Sequence, residues 1–337
     1  MTHDPSPAGL FEEFFAFLRT GVLKAALELD LFTRLADGPR TAEQLAAATA
    51  SDPRGVRIVL DSLCVFGLLE KNASGAYALR PLAQMMLVRS SPAYAGGFMR
   101  ITANRRLWDA AGDLASIVRT GEPPEAMVET PGHEFWVEFA EASEQMSTMG
   151  AGLVAELLEL DRDASLEVLD VACGSGVYGF AVLDKVPGAR LTSLDWPNVL
   201  ERARRIAEKR GLADRVTWLG GSAFDAPLPE GKFDLVLASH FYHHFSPEQN
   251  VELSRRLLAT LKPGGTLAIQ DWVVDDDRTG PPQAVLFAVV MLASTRSGDV
   301  YTLGEYRRML ESAGFADVAA REVPMIGAQL VLARRPT

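Results

Sequence analysis

Three of the five histidines in this 337-residue chain fall between positions 240 and 244, in the stretch SHFYHHFSPE (239–248). His240, His243 and His244 each carry an imidazole that ionises near neutral pH, so any of them suits general-base work. With Asp271, at the end of TLAIQD, they could also supply nitrogen and oxygen ligands to a metal. Clustered histidines are ordinary polar residues as well. If 239–245 is extended, His243 and His244 point to opposite sides. If it is helical, His240 and His244 share a face. Neither geometry gathers all three, so no metal is expected and a single base is the stronger reading.

A second constellation is the loop DVACGSGVYG (170–179). Gly174 and Gly176 allow a tight turn and close approach of a ligand. With Gly179 the spacing also fits the dinucleotide fingerprint, which leaves a dinucleotide as the competing ligand. Asp170 could accept from a ligand ammonium or from loop N–H groups. Asp195, 19 residues beyond Gly176, suits a ribose diol under either reading.

These residues lie on alternating elements. LEVLDVA (166–172), ARLTSLDW (189–196), RVTWLGG (215–221), FDLVLASH (233–240) and GTLAIQDW (265–272) read as strands with helices between them. Such alternation predicts a parallel sheet covered on both faces, with its ligand site at the carboxyl ends of the strands.

The N-terminal third reads differently. Leu10, Phe14, Phe15, Leu18, Val22, Leu23, Ala26 and Leu27 recur at helical spacing, with Gly21 the only breaker. Thr41 and Gln44 have capping-box spacing. Asp52 is placed as an N-cap, Pro53 as the first helical residue and Gly67 as a C-cap. LLEKNASGAYAL reads as two short strands around Asn72–Gly75. Two helices and a ribbon make a winged-helix pattern, which can read DNA. Arg54 and Arg57 are offset by Asp52 and Asp61, and the whole chain carries a net charge of −11. Both features oppose nucleic-acid binding and favour a dimerisation module. Length predicts two domains with a connector: 1–95, 96–160 and 161–337. The longest apolar run, AVLFAVVMLA, is too short to span a membrane. The N-terminal stretch does not read as a signal peptide. Cys64 and Cys173 read as free thiols of a reducing cytoplasm.

VLDVACGSG, SLDW, GGSAF, FDLVLASHFYHHFSPE, LKPGGTL and AGF (313–315) together resemble the class I S-adenosylmethionine-dependent methyltransferases. The winged-helix front end narrows the resemblance to small-molecule O-methyltransferases of the caffeic-acid and acetylserotonin type. The expected fold is α/β: a Rossmann-like class I methyltransferase domain behind an N-terminal, mostly helical winged-helix dimerisation domain. The resemblance implies a homodimer and S-adenosyl-L-methionine as cofactor. It implies that Ala172, Gly174 and Gly176 hold the methionine part, Asp195 the ribose, and Trp196 the adenine face. The family's Asp-Met after the third strand falls on Ser222 and Ala223, followed by Phe224. Its lysine after the fourth strand falls on Ser239. Its catalytic histidine falls on His243. Of the two acids that orient that histidine, one falls on Asp271, a methylene shorter than the family's Glu. The other falls on Val300, beside Asp299.

Trp108, Phe135, Trp136, Met146, Met149, Phe287, Met291 and Tyr301 are the candidates to line an acceptor pocket. They point to a small aromatic or polyketide-like acceptor, not to a nucleic acid or a membrane. Two alternatives stay open from sequence: methylation of an activated carbon such as that of a 2-oxo acid, and cofactor binding without transfer.

Overall fold

The structure, a computed structural model, describes residues 6–125, 130–324 and 327–337. The chain divides into two compact units, Met1–Asn104 and Arg105–Thr337.

The first unit holds α1 (Pro7–Phe14), α2 (Ala16–Glu28), α3 (Leu31–Arg34), α4 (Ala42–Thr49), α5 (Pro53–Val65), β1 (Leu69–Lys71), β2 (Tyr77–Leu79), α6 (Pro81–Met86) and α7 (Met99–Thr102). The first apolar stretch is two helices rather than one. The chain leaves helical geometry at Phe15 (φ −106°, ψ 2°), where no breaker marks the sequence, and runs through Gly21 undisturbed. The start signals act as expected. Thr41 and Gln44 form a reciprocal capping box. Asp52 Oδ1 accepts the Gly55 N–H at 2.8 Å, which stabilises the start of α5 by about 1 kcal/mol. Gly67 takes a left-handed φ of 73° just past that helix. Asn72 Oδ1 accepts from Ser74 and Ala76 N–H and closes the β1–β2 turn. Leu31, Phe32, Leu45, Leu60, Leu63, Leu69 and Tyr77 form the unit's core. Leu10, Phe11 and Phe14 on α1, Phe15 between the helices and Phe17 on α2 are left exposed. On α5, Arg57 pairs with Asp61, which also takes Lys71 and the Tyr77 hydroxyl.

The second unit opens with α8 (Arg105–Gly112), α9 (Leu114–Thr120) and α10 (Glu134–Leu157). Strands and helices then alternate: β3 (Glu167–Val171), α11 (Val177–Lys185), β4 (Arg190–Asp195), α12 (Pro197–Lys209), β5 (Val216–Gly220), β6 (Phe233–Ser239), α13 (Pro247–Thr260) and β7 (Leu261–Asp271). After these come β8 (Val273–Val274), α14 (Pro282–Ser294), β9 (Tyr301–Thr302), α15 (Leu303–Ala313), β10 (Ala316–Val323) and β11 (Ala328–Arg334).

The main sheet has the order β10-β11-β7-β6-β3-β4-β5. The five strands read from sequence are parallel to one another, as expected. Two further strands, which the sequence did not single out, make the sheet as a whole mixed: β11 runs antiparallel to β7, and β10 antiparallel to β11. β10 and β11 are consecutive and joined by a short connection, which allows only antiparallel pairing, whereas a parallel pair needs a crossover. β3 lies between β4 and β6, so the connections leave its two sides in opposite directions and open a crevice at the carboxyl ends. Apolar residues fill both faces. Leu169, Val236 and Ile269 pack toward α13 and α15, and Val168, Leu237 and Ala268 toward α10, α11 and α12. No described helix is long and apolar enough to cross a membrane.

Candidate active site

The loop after β3 carries three left-handed residues in five: Ala172 (φ 53°), Gly174 (φ 56°) and Gly176 (φ 79°). That conformation costs Ala172 about 1 kcal/mol, because its Cβ crowds the following carbonyl. A Cβ added at Gly174 would meet nothing within 4 Å, so the loop faces open space there. At Gly176 it would strike the Phe180 ring, which makes that glycine a packing requirement of α11. Asp195, at the end of β4, ties the loop down. Its Oδ2 accepts the Gly174 N–H at 2.8 Å and its Oδ1 the Trp196 N–H at 2.7 Å. Burial pushes this carboxyl up to about 6, against the pull of those two donors. Asp170 is 1% exposed and accepts the Gly179 N–H at 3.0 Å. Burial, opposed by that N–H and assisted by the charge of Asp195, raises it to about 7. Asp170 therefore holds the first turn of α11 from beneath.

Trp196 precedes Pro197 at the N-cap of α12. After β5, the Ser222 hydroxyl oxygen accepts the Phe224 N–H at 3.1 Å, and its own proton is not used in that bond. The Ala223 methyl packs into the core, and its carbonyl accepts from Arg256 Nε at 3.2 Å. The Phe224 ring packs 4.9 Å from that of Phe245. Ser239 ends β6. An open glycine in the loop, with a carboxylate one strand away, leaves room and acceptor atoms suited to a nucleoside-bearing ligand.

The histidines sit one strand over. His240 follows β6 in a left-handed conformation (φ 52°), with its N–H on the Gln270 carbonyl at 2.7 Å. Tyr242–His244 then form a single 3-10 turn, neither the extended nor the α-helical alternative. Two clamps hold this turn. Ser246 and Gln249 make a reciprocal capping box at the start of α13. Asn250 Nδ2 donates to the carbonyls of Tyr242 at 2.9 Å and Phe245 at 3.3 Å. The turn sends Tyr242 into the core and points His243 at β7. His243 Nδ1 lies 2.5 Å from Asp271 Oδ1, and its backbone N–H donates to Asp271 Oδ2 at 3.2 Å. The close backbone is why the shorter aspartate reaches. Oδ1 also accepts the Trp272 N–H at 2.8 Å, and Oδ2 the Tyr306 hydroxyl at 3.1 Å. Burial alone would push the Asp271 carboxyl up. The charge and hydrogen bond of His243, with help from His240, outweigh it and hold the carboxyl below its ordinary range.

His240 Nδ1 is 3.9 Å from Asp271 Oδ1. Burial lowers its pKa to about 4 despite that carboxylate, so it is neutral at working pH. Burial, then the neighbouring His243 and His240, push His244 well below the ordinary histidine value. The His244 ring lies against Trp136 at 5.2 Å and against His243 at 4.2 Å. One atom each of His240, His243 and Asp271 lie within 4.8 Å of one another, close enough for a metal; His244 stands outside that group among the described residues.

The structure places the aromatic and methionine candidates in different surroundings. Phe287 sits 4.9 Å from the His243 ring and 5.6 Å from Trp272. Phe135, Trp136 and Phe139 pack together on α10, and Trp136 reaches His244. Met146 is half-buried on the same helix, while Met149 is 37% exposed. Met291 is buried on α14, which packs against the helix that carries Trp108. Tyr301 is 2% exposed, bonds the Phe245 carbonyl and packs on Tyr306. Val300 is fully buried among Val274, Ala284 and their neighbours. The carboxylate of Asp299 pairs with Arg278 at 3.2 Å on the surface. Two residues of the site have no signature in sequence. Tyr306 reads as one more apolar-face residue of an amphipathic helix, and Asn250 as a surface residue of α13.

A Rossmann-like sheet with an open glycine loop after its first parallel strand, a carboxylate after its second and a buried His–Asp pair after its fourth and fifth defines a class I methyltransferase. The chain belongs to the O-methyltransferase family: its residues 127–316 match that family's O-methyltransferase domain, and residues 11–89 its dimerisation domain. It is 31% identical over 329 residues to the tetracenomycin polyketide synthesis 8-O-methyltransferase of Streptomyces glaucescens, covering 96% of this chain and 95% of that one. It is also 31% identical to the 3-hydroxy-5-methyl-1-naphthoate 3-O-methyltransferase of Streptomyces sahachiroi, over 94% of this chain and 91% of that one. The crystal structure of human N-acetylserotonin methyltransferase in complex with S-adenosylmethionine superposes with a TM-score of 0.85 at 26% identity, over 100% of this chain and 99% of that chain.

Proposed function

We propose that this protein transfers a methyl group from S-adenosylmethionine to a hydroxyl of a small aromatic or polyketide-like molecule, with His243 as general base. The observation that carries this reading is the buried His243–Asp271 pair, which stands beside an aromatic wall and one strand from the glycine loop. One relative is named for tetracenomycin polyketide synthesis and another for a 3-hydroxy-5-methyl-1-naphthoate, which supports a polyketide-like or aromatic acceptor.

The residues present fit the cofactor. Gly174 offers open backbone, Asp195 keeps lone pairs for a ribose diol, and Ser222 has a proton to give. Ala172 and Gly176 shape the loop for the methionine part, Asp170 supports it, and Trp196, Ala223, Phe224 and Ser239 border the adenosine side. Bound S-adenosylmethionine supplies a methyl made electrophilic by its sulfonium charge. With Nδ1 held by Asp271, the His243 ring has Nε2 left for chemistry. Nε2 takes the proton of the acceptor hydroxyl and leaves an oxyanion; the ionised Asp271 stabilises the imidazolium that forms. Phe287 and Trp136 hold the flat acceptor, so the remaining catalysis is positioning.

The protein acts as a homodimer through its dimerisation domain. Two free thiols, at Cys64 and Cys173, favour the cytoplasm as its compartment. The test is incubation with S-adenosylmethionine and a panel of phenolic polyketides and hydroxynaphthoates. S-adenosylhomocysteine and an O-methylated product are expected with at least one. Methylation only at carbon, or none across the panel, would reject the reading.

A further inference from the structure

Asp271 is anchored by four donors, and three of them come from the turn and strand beside it. The fourth is the Tyr306 hydroxyl, the one side chain that reaches Oδ2 from α15. We infer that Tyr306 is a positioning residue of the base: it holds the Asp271 carboxylate through Oδ2 while Oδ1 holds His243.

The placement of Tyr306 is tightly determined. Its ring is buried between Tyr242, at 6.1 Å, and Tyr301, at 5.9 Å. Each neighbour satisfies its own hydroxyl elsewhere, Tyr242 on Ser254 and Tyr301 on the Phe245 carbonyl. Burial and the adjacent Asp271 push the Tyr306 phenol well above its ordinary pKa, so it stays a donor throughout the working range. Val300 and its apolar neighbours, and Asp299 turned to Arg278, bring no second carboxylate to the pair. Tyr306 therefore supplies from a phenol the second side-chain anchor that Asp271 has. A donor on Oδ2 favours the carboxylate most when His243 is neutral, since an imidazolium already compensates the charge. Tyr306 thus keeps the pair in its proton-accepting form to lower pH and fixes the carboxylate plane that aims the ring.

This inference rests on His243 being the base, and the test separates the two. In the full chain, Tyr306→Phe removes the hydroxyl and leaves the Oδ2 bond to the His243 N–H. Nitrogen-15 NMR of the His243 imidazole should show its titration midpoint move to higher pH than in the wild type. The acid limb of kcat should move with it. The plateau kcat should fall about tenfold, as loss of one hydrogen bond to a charged group implies. S-adenosylmethionine affinity should be unchanged. A purely structural tyrosine would lower activity without moving either midpoint, and an unmoved midpoint overturns the inference. The NMR reading needs no turnover, so a shifted midpoint in a chain that transfers no methyl faults the function and leaves the Tyr306–Asp271–His243 coupling standing. If Tyr306→Phe does not fold, 3-fluorotyrosine at this position takes its place. It keeps the shape and strengthens the donor, so the midpoint should move down; no movement would again overturn the inference.

Discussion

His243 and Asp271 are joined twice, ring Nδ1 to Oδ1 at 2.5 Å and backbone N–H to Oδ2 at 3.2 Å. The double link fixes both the position of the imidazole and its tautomer. A neutral His243 carries its proton on Nδ1 and presents an unprotonated Nε2, which is the form a base requires.

His243→Ala or His243→Gln should lower kcat by roughly 10²–10⁴-fold, the usual contribution of a positioned base. Binding of S-adenosylmethionine, measured by calorimetry, should be unchanged, because the base does not hold the cofactor. His240→Ala and His244→Ala should be mild, and EDTA should leave turnover intact. A chelator that abolishes turnover, restored by added metal, together with an essential His240, would assign the His240–His243–Asp271 group to a metal instead.

Asp271→Asn should cost less than loss of His243, since the imidazole stays in place. The sign of the pH effect is fixed by charge. The carboxylate stabilises the imidazolium, so an amide makes His243 harder to protonate. The acid limb of the kcat profile should therefore move to lower pH, opposite to the shift expected for Tyr306→Phe. A limb that does not move would place the titrating group elsewhere.

Burial raises the Asp195 carboxyl to about 6, and a ribose diol requires the ionised form as acceptor. Affinity for S-adenosylmethionine should fall as pH drops through 6, approaching about tenfold per pH unit below it. Binding near pH 6 should release a proton, visible as a buffer-dependent heat. Asp195→Asn should bind weakly and lose most of this pH dependence. An Asp195→Asn chain that binds S-adenosylmethionine as tightly as the wild type would remove Asp195 from the cofactor site.

Phe11 is 61% and Phe14 60% exposed, and neither belongs to the core of the first unit. A second copy of the chain is the expected cover for these rings. Phe11→Glu with Phe14→Glu should therefore yield a folded monomer by light scattering at micromolar concentration, where the wild type is a dimer. A dimer that survives both substitutions would place the interface elsewhere.

Features that depend on short-range chemistry are legible in the residues alone. The five parallel strands, the capping residues Thr41 and Asp52, and the glycine loop each depend on neighbours a few residues away. Asp195 is legible for the same reason, since strand and loop fix its place. His243 is reached through the resemblance and Asp271 by the same alignment, but that they touch is not legible. The contact spans 28 residues and depends on β6 and β7 lying side by side and on a 3-10 turn that neither periodicity announces. Packing between elements sorts the aromatic and methionine candidates. Phe287 and Trp136 reach the histidines, while Met149 turns outward and Tyr301 becomes core, although all are apolar residues at similar spacing. Tyr306 is the limiting case. On its helix it is one residue of an amphipathic face, and its hydroxyl gains a role only because α15 packs behind the end of β7, 35 residues away in sequence. Periodicity reports which side of an element is buried; which polar atom it meets there is settled by the packing of distant elements.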